Sequence, residues 1–146
     1  MVSRSEQRGR KGEPFSVRFT ASTDRSVEEE ARRTKRSKSA VVEALTEEAV
    51  QTRRFPGIAF RGDDARRRPW VIGTGLDIWE IIEMLEDHGS IARLVDDAEV
   101  SDRQVRLAVA YRDAYPQEIA EAISENRRSA AEWQELYPFI EVAAPA

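Results

Sequence analysis

The sequence predicts a mainly α-helical chain. A strand and two helices fold together as a dimer, followed by a small helical domain with a β-hairpin and a helix-turn-helix-like core. Three observations predict it. Apolar spacing over residues 15–50 changes from period two to the helical 3.6. The rest of the chain carries repeated helix-start signals at Asp77, Ser90, Ser101 and Pro116. Charge is split: residues 1–54 hold 13 Lys and Arg against 9 Asp and Glu, a surplus of +4, whereas residues 55–146 hold 10 against 18, a surplus of −8. A basic front and an acidic back suggest nucleic acid at one end and a different partner at the other.

Phe15, Val17 and Phe19 alternate with Ser16, Arg18 and Thr20. This alternation gives a strand with one aromatic and β-branched face and one polar face. Residues 20–24 then offer helix-start side chains, and Glu28, Glu29 and Glu30 occupy the first turns, where the helix dipole favours negative charge. A first helix is expected over residues 23–34, with Val27, Ala31 and Thr34 inward and Arg32, Arg33, Lys35 and Arg36 at its C-terminal end. Ser37, Lys38 and Ser39 begin a second helix with an apolar stripe at Val41, Ala44, Leu45 and Ala49.

Such a unit cannot fold alone. One strand has no ladder partner, and roughly 40 residues bury too little surface for a core. A homodimer solves both problems: two strands pair antiparallel and four helices cover their apolar face. The polar face of the ribbon then points outward, and a two-stranded ribbon fits the DNA major groove. Ser16, Arg18 and Thr20 lie on that face. The backbone amides at Ser37, Lys38 and Ser39 form an expected phosphate site at a helix N-terminus.

Residues 15–50 resemble the ribbon-helix-helix family (Arc/MetJ/CopG type) of bacterial repressors and antitoxins. The alternating strand, the distance from Phe19 to Ser37, and Ser37-Lys38-Ser39-Ala40 before an apolar helix carry the resemblance, over about a quarter of the chain. It implies Ser16 and Arg18 as base readers and Ser37 to Ser39 as phosphate clamps on operator DNA. Pro14 stands where the family often has another polar reader.

Composition narrows the remaining functions. With no cysteine there is no disulfide, thiolate zinc site or Cys nucleophile. The start of the chain has no signal-peptide pattern, and no apolar run reaches the roughly 20 residues that span a bilayer, so a soluble cytoplasmic protein without membrane contact is expected. No nucleophile–base pair stands at motif spacing, so no catalytic residue, cofactor or metal is assigned. The single histidine, His88, has neither Cys nor a second His to share a metal.

Residues 1–13 read as a basic disordered arm, either a phosphate-contacting tail or a merely solvated one. Residues 14–53 form the ribbon-helix-helix unit. From residue 54 onward an acidic domain begins, with Phe55-Pro56-Gly57 breaking the second helix. Ile58-Ala59-Phe60 and Trp70-Val71-Ile72 form a hairpin around a charged turn at Asp63 and Asp64, and Gly73-Thr74-Gly75 is a tight strand-to-helix turn. Asp77 with Glu80, and Ser101 with Gln104, make capping boxes, and Gly89 ends the first of those helices. The short helix over residues 90–97, the turn at 98–100 and the capped helix after it outline a helix-turn-helix, with Val105, Ala108, Val109 and Tyr111 inward. That outline serves either packing or a second DNA contact through Asp102, Arg103 and Arg106. Pro116 suits the first position of a last helix. The C-terminal stretch concentrates Trp133, Leu136, Tyr137, Phe139 and Ile140, either as partner-binding anchors or folded back on the domain.

Phe55-Pro56-Gly57-Ile58, Trp70-Val71-Ile72-Gly73-Thr74-Gly75 and the Val105-Arg106-Leu107-Ala108 helix resemble a small antitoxin family described as domain of unknown function 433, over about residues 55–125. Members of that family are commonly encoded beside a PIN-like ribonuclease toxin. Together the two resemblances imply a type II antitoxin. It would bind operator DNA as a homodimer, or a higher oligomer, repress its own transcription, and neutralise a PIN-like ribonuclease. The alternative is a plain transcriptional regulator whose acidic domain senses a ligand or aids oligomerisation.

Overall fold

The computed structural model describes residues 11–63, 67–127 and 130–139. Among them the chain is mainly helical, with one small antiparallel hairpin: α1 (Ala21–Thr34), α2 (Lys38–Arg54), β1 (Ile58–Arg61), β2 (Arg68–Val71), α3 (Ile78–His88), α4 (Ile91–Asp97), α5 (Asp102–Ala114), α6 (Pro116–Asn126) and α7 (Ala130–Leu136). No helix among the described residues is long and apolar enough to cross a membrane.

The expected strand over residues 15–20 is not formed, and the strands observed come after α1 and α2. The reason is physical. A lone extended segment has no ladder to join within its own chain, and residues 15–19 make no backbone hydrogen bonds among the described residues.

Helix starts follow the local side-chain chemistry. Thr20 Oγ1 accepts the Thr23 amide at 3.3 Å, so α1 begins earlier than the expected residue 23. Ser37 Oγ accepts the Ala40 amide at 3.1 Å and caps α2. Between these helices Lys35 takes a left-handed conformation (φ 54°), and the Arg36 amide returns to the Ala31 carbonyl at 3.1 Å. Val27 and Val41 are buried where α1 meets α2. The expected stripe on α2 is covered only in part: Val41 is buried and Ala44 half-buried, but Leu45 and Ala49 are exposed. A single neighbouring helix covers a single side of α2.

The main core lies beyond residue 55. Ile58, Val71, Ile78, Ile81, Ile82, Leu94, Val105, Ala108, Tyr111 and Ile119 form one buried cluster. The hairpin pairs Ile58 with Val71 and Arg61 with Arg68, so Ile72, expected within it, lies outside and exposed. Ile72 still donates its amide to the Gly57 carbonyl at 2.9 Å. The residues 64–66 expected in the charged turn lie outside the described residues. Asp77 and Ser101 cap α3 and α5 in closed boxes: Glu80 accepts the Asp77 amide at 2.7 Å, and Gln104 accepts the Ser101 amide at 2.8 Å. Gly89 ends α3 with φ 75°, and Pro116 occupies the first turn of α6.

Candidate nucleic-acid interface

Residues 15–19 lie along α2. Phe15, Val17 and Phe19 share an open groove of about 820 Å³ with Lys38, Ser39, Val42, Glu43, Thr46, Glu47, Val50, Gln51 and Tyr115, so two carboxylates stand among its apolar residues. Its apolar residues are unusually wet: Phe15 is 86% exposed, Val17 57%, Phe19 36% and Val50 49%. Gln51, by contrast, is buried. Sequence periodicity selected Val41, Ala44, Leu45 and Ala49 and missed Val42 and Val50. The signal was present, since Val42, Thr46 and Val50 stand at four-residue intervals and form a second stripe.

Ser16 and Arg18 are exposed, and neither makes a hydrogen bond or ion pair among the described residues. Arg18 therefore keeps all its guanidinium donors for solvent or a ligand. Thr20 is different. Its hydroxyl donates to Thr23 Oγ1 at 3.0 Å as well as accepting the Thr23 amide, so it is engaged in capping α1. A base-reading role for Thr20 would require giving up that cap.

At the start of α2 the amides of Lys38 and Ser39 have no protein acceptor among the described residues, as first-turn amides ordinarily lack one. With the helix dipole behind them they can accept an anion. Ser37 spends its hydroxyl on the Ala40 amide. The Lys38 ammonium is bound to Asp24 and lies 3.8 Å from Glu28. The Asp24 hydrogen bond and the attraction of both carboxylates hold its pKa above the ordinary lysine value. A phosphate at this helix end therefore competes with Asp24 for Lys38. Of the basic arm, Lys11 pairs with Glu43 at 2.5 Å; residues 1–10 lie outside the described residues.

The helix-turn-helix outline is present as α4, the turn at 98–100 and α5. Of its two exposed cations, Arg106 is matched by Asp102 at 2.7 Å, which raises the Arg106 pKa, whereas Arg103 makes no hydrogen bond or ion pair among the described residues. A phosphate at Arg106 would meet a charge already offset, and Arg103 alone keeps its charge open.

The second candidate surface is the end of the chain. Trp133 stacks on Tyr137 (centroids 5.8 Å apart, planes 19° apart), and Tyr137 meets Phe139 edge-on at 5.9 Å. Leu136, Tyr137 and Phe139 are exposed, Phe139 by 82%. The aromatic side chains thus pack on one another and leave much of their surface in water. Ile140 lies outside the described residues.

A cluster not anticipated as such surrounds Asp77. Its carboxylate is buried, accepts from Arg61 Nε at 2.9 Å and Trp79 Nε1 at 3.3 Å, and forms an ion pair with Arg68, whose Nε lies 2.9 Å away, while the Arg61 guanidinium lies 4.8 Å over the Trp70 ring. Spacing identified Asp77 as a helix cap, but its arginine partners come from the hairpin and become visible only once that hairpin folds. Among the described residues no group of three or more His, Asp or Glu side chains is placed to hold a metal. No protein-family model, curated protein or solved structure matches the chain.

Proposed function

We propose that this chain is an operator-binding antitoxin of the ribbon-helix-helix type. Two copies pair residues 15–20 as an antiparallel ribbon, Ser16 and Arg18 face the major groove, and the first-turn amides of α2 take flanking phosphates. One observation carries the reading. Residues 15–19 have an unpaired backbone, an apolar face turned to a wet groove and a polar face whose arginine has no partner. Unpaired backbone beside exposed aromatics is the condition that a matching strand relieves. A second copy offers that strand with the same alternation.

The test compares wild type and Arg18→Ala on the DNA upstream of the gene and on a scrambled duplex. Arg18→Ala should lower discrimination by about 1–3 kcal/mol if Arg18 reads a guanine. Equal weakening on both duplexes would remove Arg18 as a base reader.

The acidic domain and its tail take the second role, capture of a PIN-like ribonuclease toxin. The Trp133–Tyr137–Phe139 cluster, half-buried at Trp133 and exposed at Tyr137 and Phe139, supports this, because clustered aromatics left partly in water are typical anchors for a protein partner. Co-expression with the product of the adjacent gene should yield a stable complex that no longer cleaves RNA. Removing residues 133–146 should abolish the complex and leave DNA binding intact. Full neutralisation by the truncated chain would exclude the tail as the capture element.

A further inference from the structure

The groove along α2 does not stop at the N-terminal unit. Beyond Val50 and Gln51 it ends on Tyr115, which joins α5 to α6. The Tyr115 ring is held there by edge contact with Phe55 (6.1 Å) and by Tyr111 (4.8 Å), and its hydroxyl accepts from Arg54 at 3.4 Å. Phe55 also meets the fully buried Tyr111 at 5.3 Å, so Tyr115 is tied to both the end of α2 and the main core.

Area decides what fits. An aromatic side chain carries about 150–250 Å², so Phe15 and Phe19 leave on the order of 250 Å² of apolar surface wet at their observed exposures. Val17 and Val50 bring their summed exposed surface to on the order of 400 Å², within the range of the largest apolar patch on an ordinary monomer, which is often functional. Two such sets of side chains, wholly buried, give at most about 800 Å² of apolar burial. At the ~60% apolar share of an interface that ceiling corresponds to about 1,300 Å² in all, the lower end of a stable protein–protein contact, so the dimer needs the groove as a whole and not the ribbon alone.

We propose that a second copy of this chain seats on the whole groove and that Tyr115 is part of the dimer interface. The two-fold contact then crosses the boundary between the two units instead of being confined to strand and helices. This rests on the ribbon dimer proposed above. Its consequence is mechanical: Tyr115 packs on Tyr111, whose hydroxyl donates to Glu118 at 3.1 Å, so a partner that displaces α6 also disturbs the dimer contact.

The test uses the full chain in sedimentation equilibrium, with Val17→Glu, Tyr115→Ala, Tyr115→Phe and Tyr115→p-benzoylphenylalanine. Wild type should be a dimer and Val17→Glu a monomer. Tyr115→Ala should raise the dimer Kd about tenfold, and Tyr115→Phe should leave it unchanged because the ring, not the hydroxyl, fills the groove. On irradiation the benzoylphenylalanine chain, which keeps a ring at 115 and so does not depend on the alanine variant folding, should form a covalent dimer. A dimer that survives Val17→Glu would overturn the ribbon reading itself. If Val17→Glu dissociates the dimer while the photoprobe labels only its own chain, the ribbon stands and the role of Tyr115 is refuted.

Discussion

Replacing Asp77 should be among the most damaging single polar changes in this protein. Its carboxylate, 4% exposed, holds Arg61 and Arg68 of the hairpin and the Trp79 indole, and it stands at the N-cap of α3. Asp77→Ala removes a helix cap, worth about 1 kcal/mol. It leaves the half-buried Trp79 N–H without its acceptor, at about 1 kcal/mol. The arginines contribute less. Arg61 is 40% exposed and Arg68 57%, so both can turn to water, and each pair is discounted to about 0.5 kcal/mol. The total is about 2–3 kcal/mol, or roughly 5–10 °C in Tm for a chain of this length. Asp77→Asn keeps an acceptor for the cap and Trp79 and should cost about 1 kcal/mol. Thermal unfolding by circular dichroism reads both values. In the Asp77→Ala background, adding Arg61→Ala and Arg68→Ala should cost less than in wild type, because their shared partner is gone. An Asp77→Ala change below about 0.5 kcal/mol would refute the reasoning, since that is the size of an ordinary surface substitution.

Three other outcomes follow from particular contacts. Gly57 sits at φ +105°, and a Cβ there would lie 2.8 Å from Leu107 Cδ2, so Gly57→Ala should destabilise by about 1–3 kcal/mol. Leu107→Ala in the same chain should fail to restore the loss, because the backbone strain remains, and urea unfolding measures both. Lys35 holds a left-handed conformation that glycine adopts freely, so Lys35→Gly should stabilise by about 0.5–1 kcal/mol; a fall in urea midpoint would contradict that account of the α1–α2 turn. Lys38→Ala should weaken binding on every DNA sequence and reduce the salt slope by up to about 0.9, less to the extent that Asp24 already neutralises the ammonium. An unchanged slope would remove Lys38 from the phosphate contacts.

What was legible in the sequence is what short-range chemistry decides. The Asp77–Glu80 and Ser101–Gln104 boxes span three residues, Gly89 ends a helix by its own backbone freedom, and Pro116 marks a helix start. None of these needs a distant neighbour. What escaped depends on contacts between segments far apart in the chain. Asp77 meets Arg61 across sixteen residues, and Arg54 meets Tyr115 across sixty-one. Thr20 was read two ways, as the end of the alternation with Ser16 and Arg18 and as a helix-start side chain, and its hydroxyl serves the helix that starts beside it. The stripe on α2 was placed by periodicity alone, but which side becomes covered depends on where α1 lies, and that leaves Val42 and Val50 facing the groove. Residues 15–20 differ from all of these: among the described residues they meet no ladder partner, so their alternation alone does not make a strand.

The most direct measurement is equilibrium binding of the full chain to its own upstream DNA and to a scrambled duplex across a salt series. A DNA-reading ribbon should prefer the upstream DNA by at least about a thousandfold, with affinity on both duplexes falling steeply as salt rises. Equal affinity for the two duplexes, or affinity insensitive to salt, would contradict the reading of residues 15–20 as a DNA-reading ribbon.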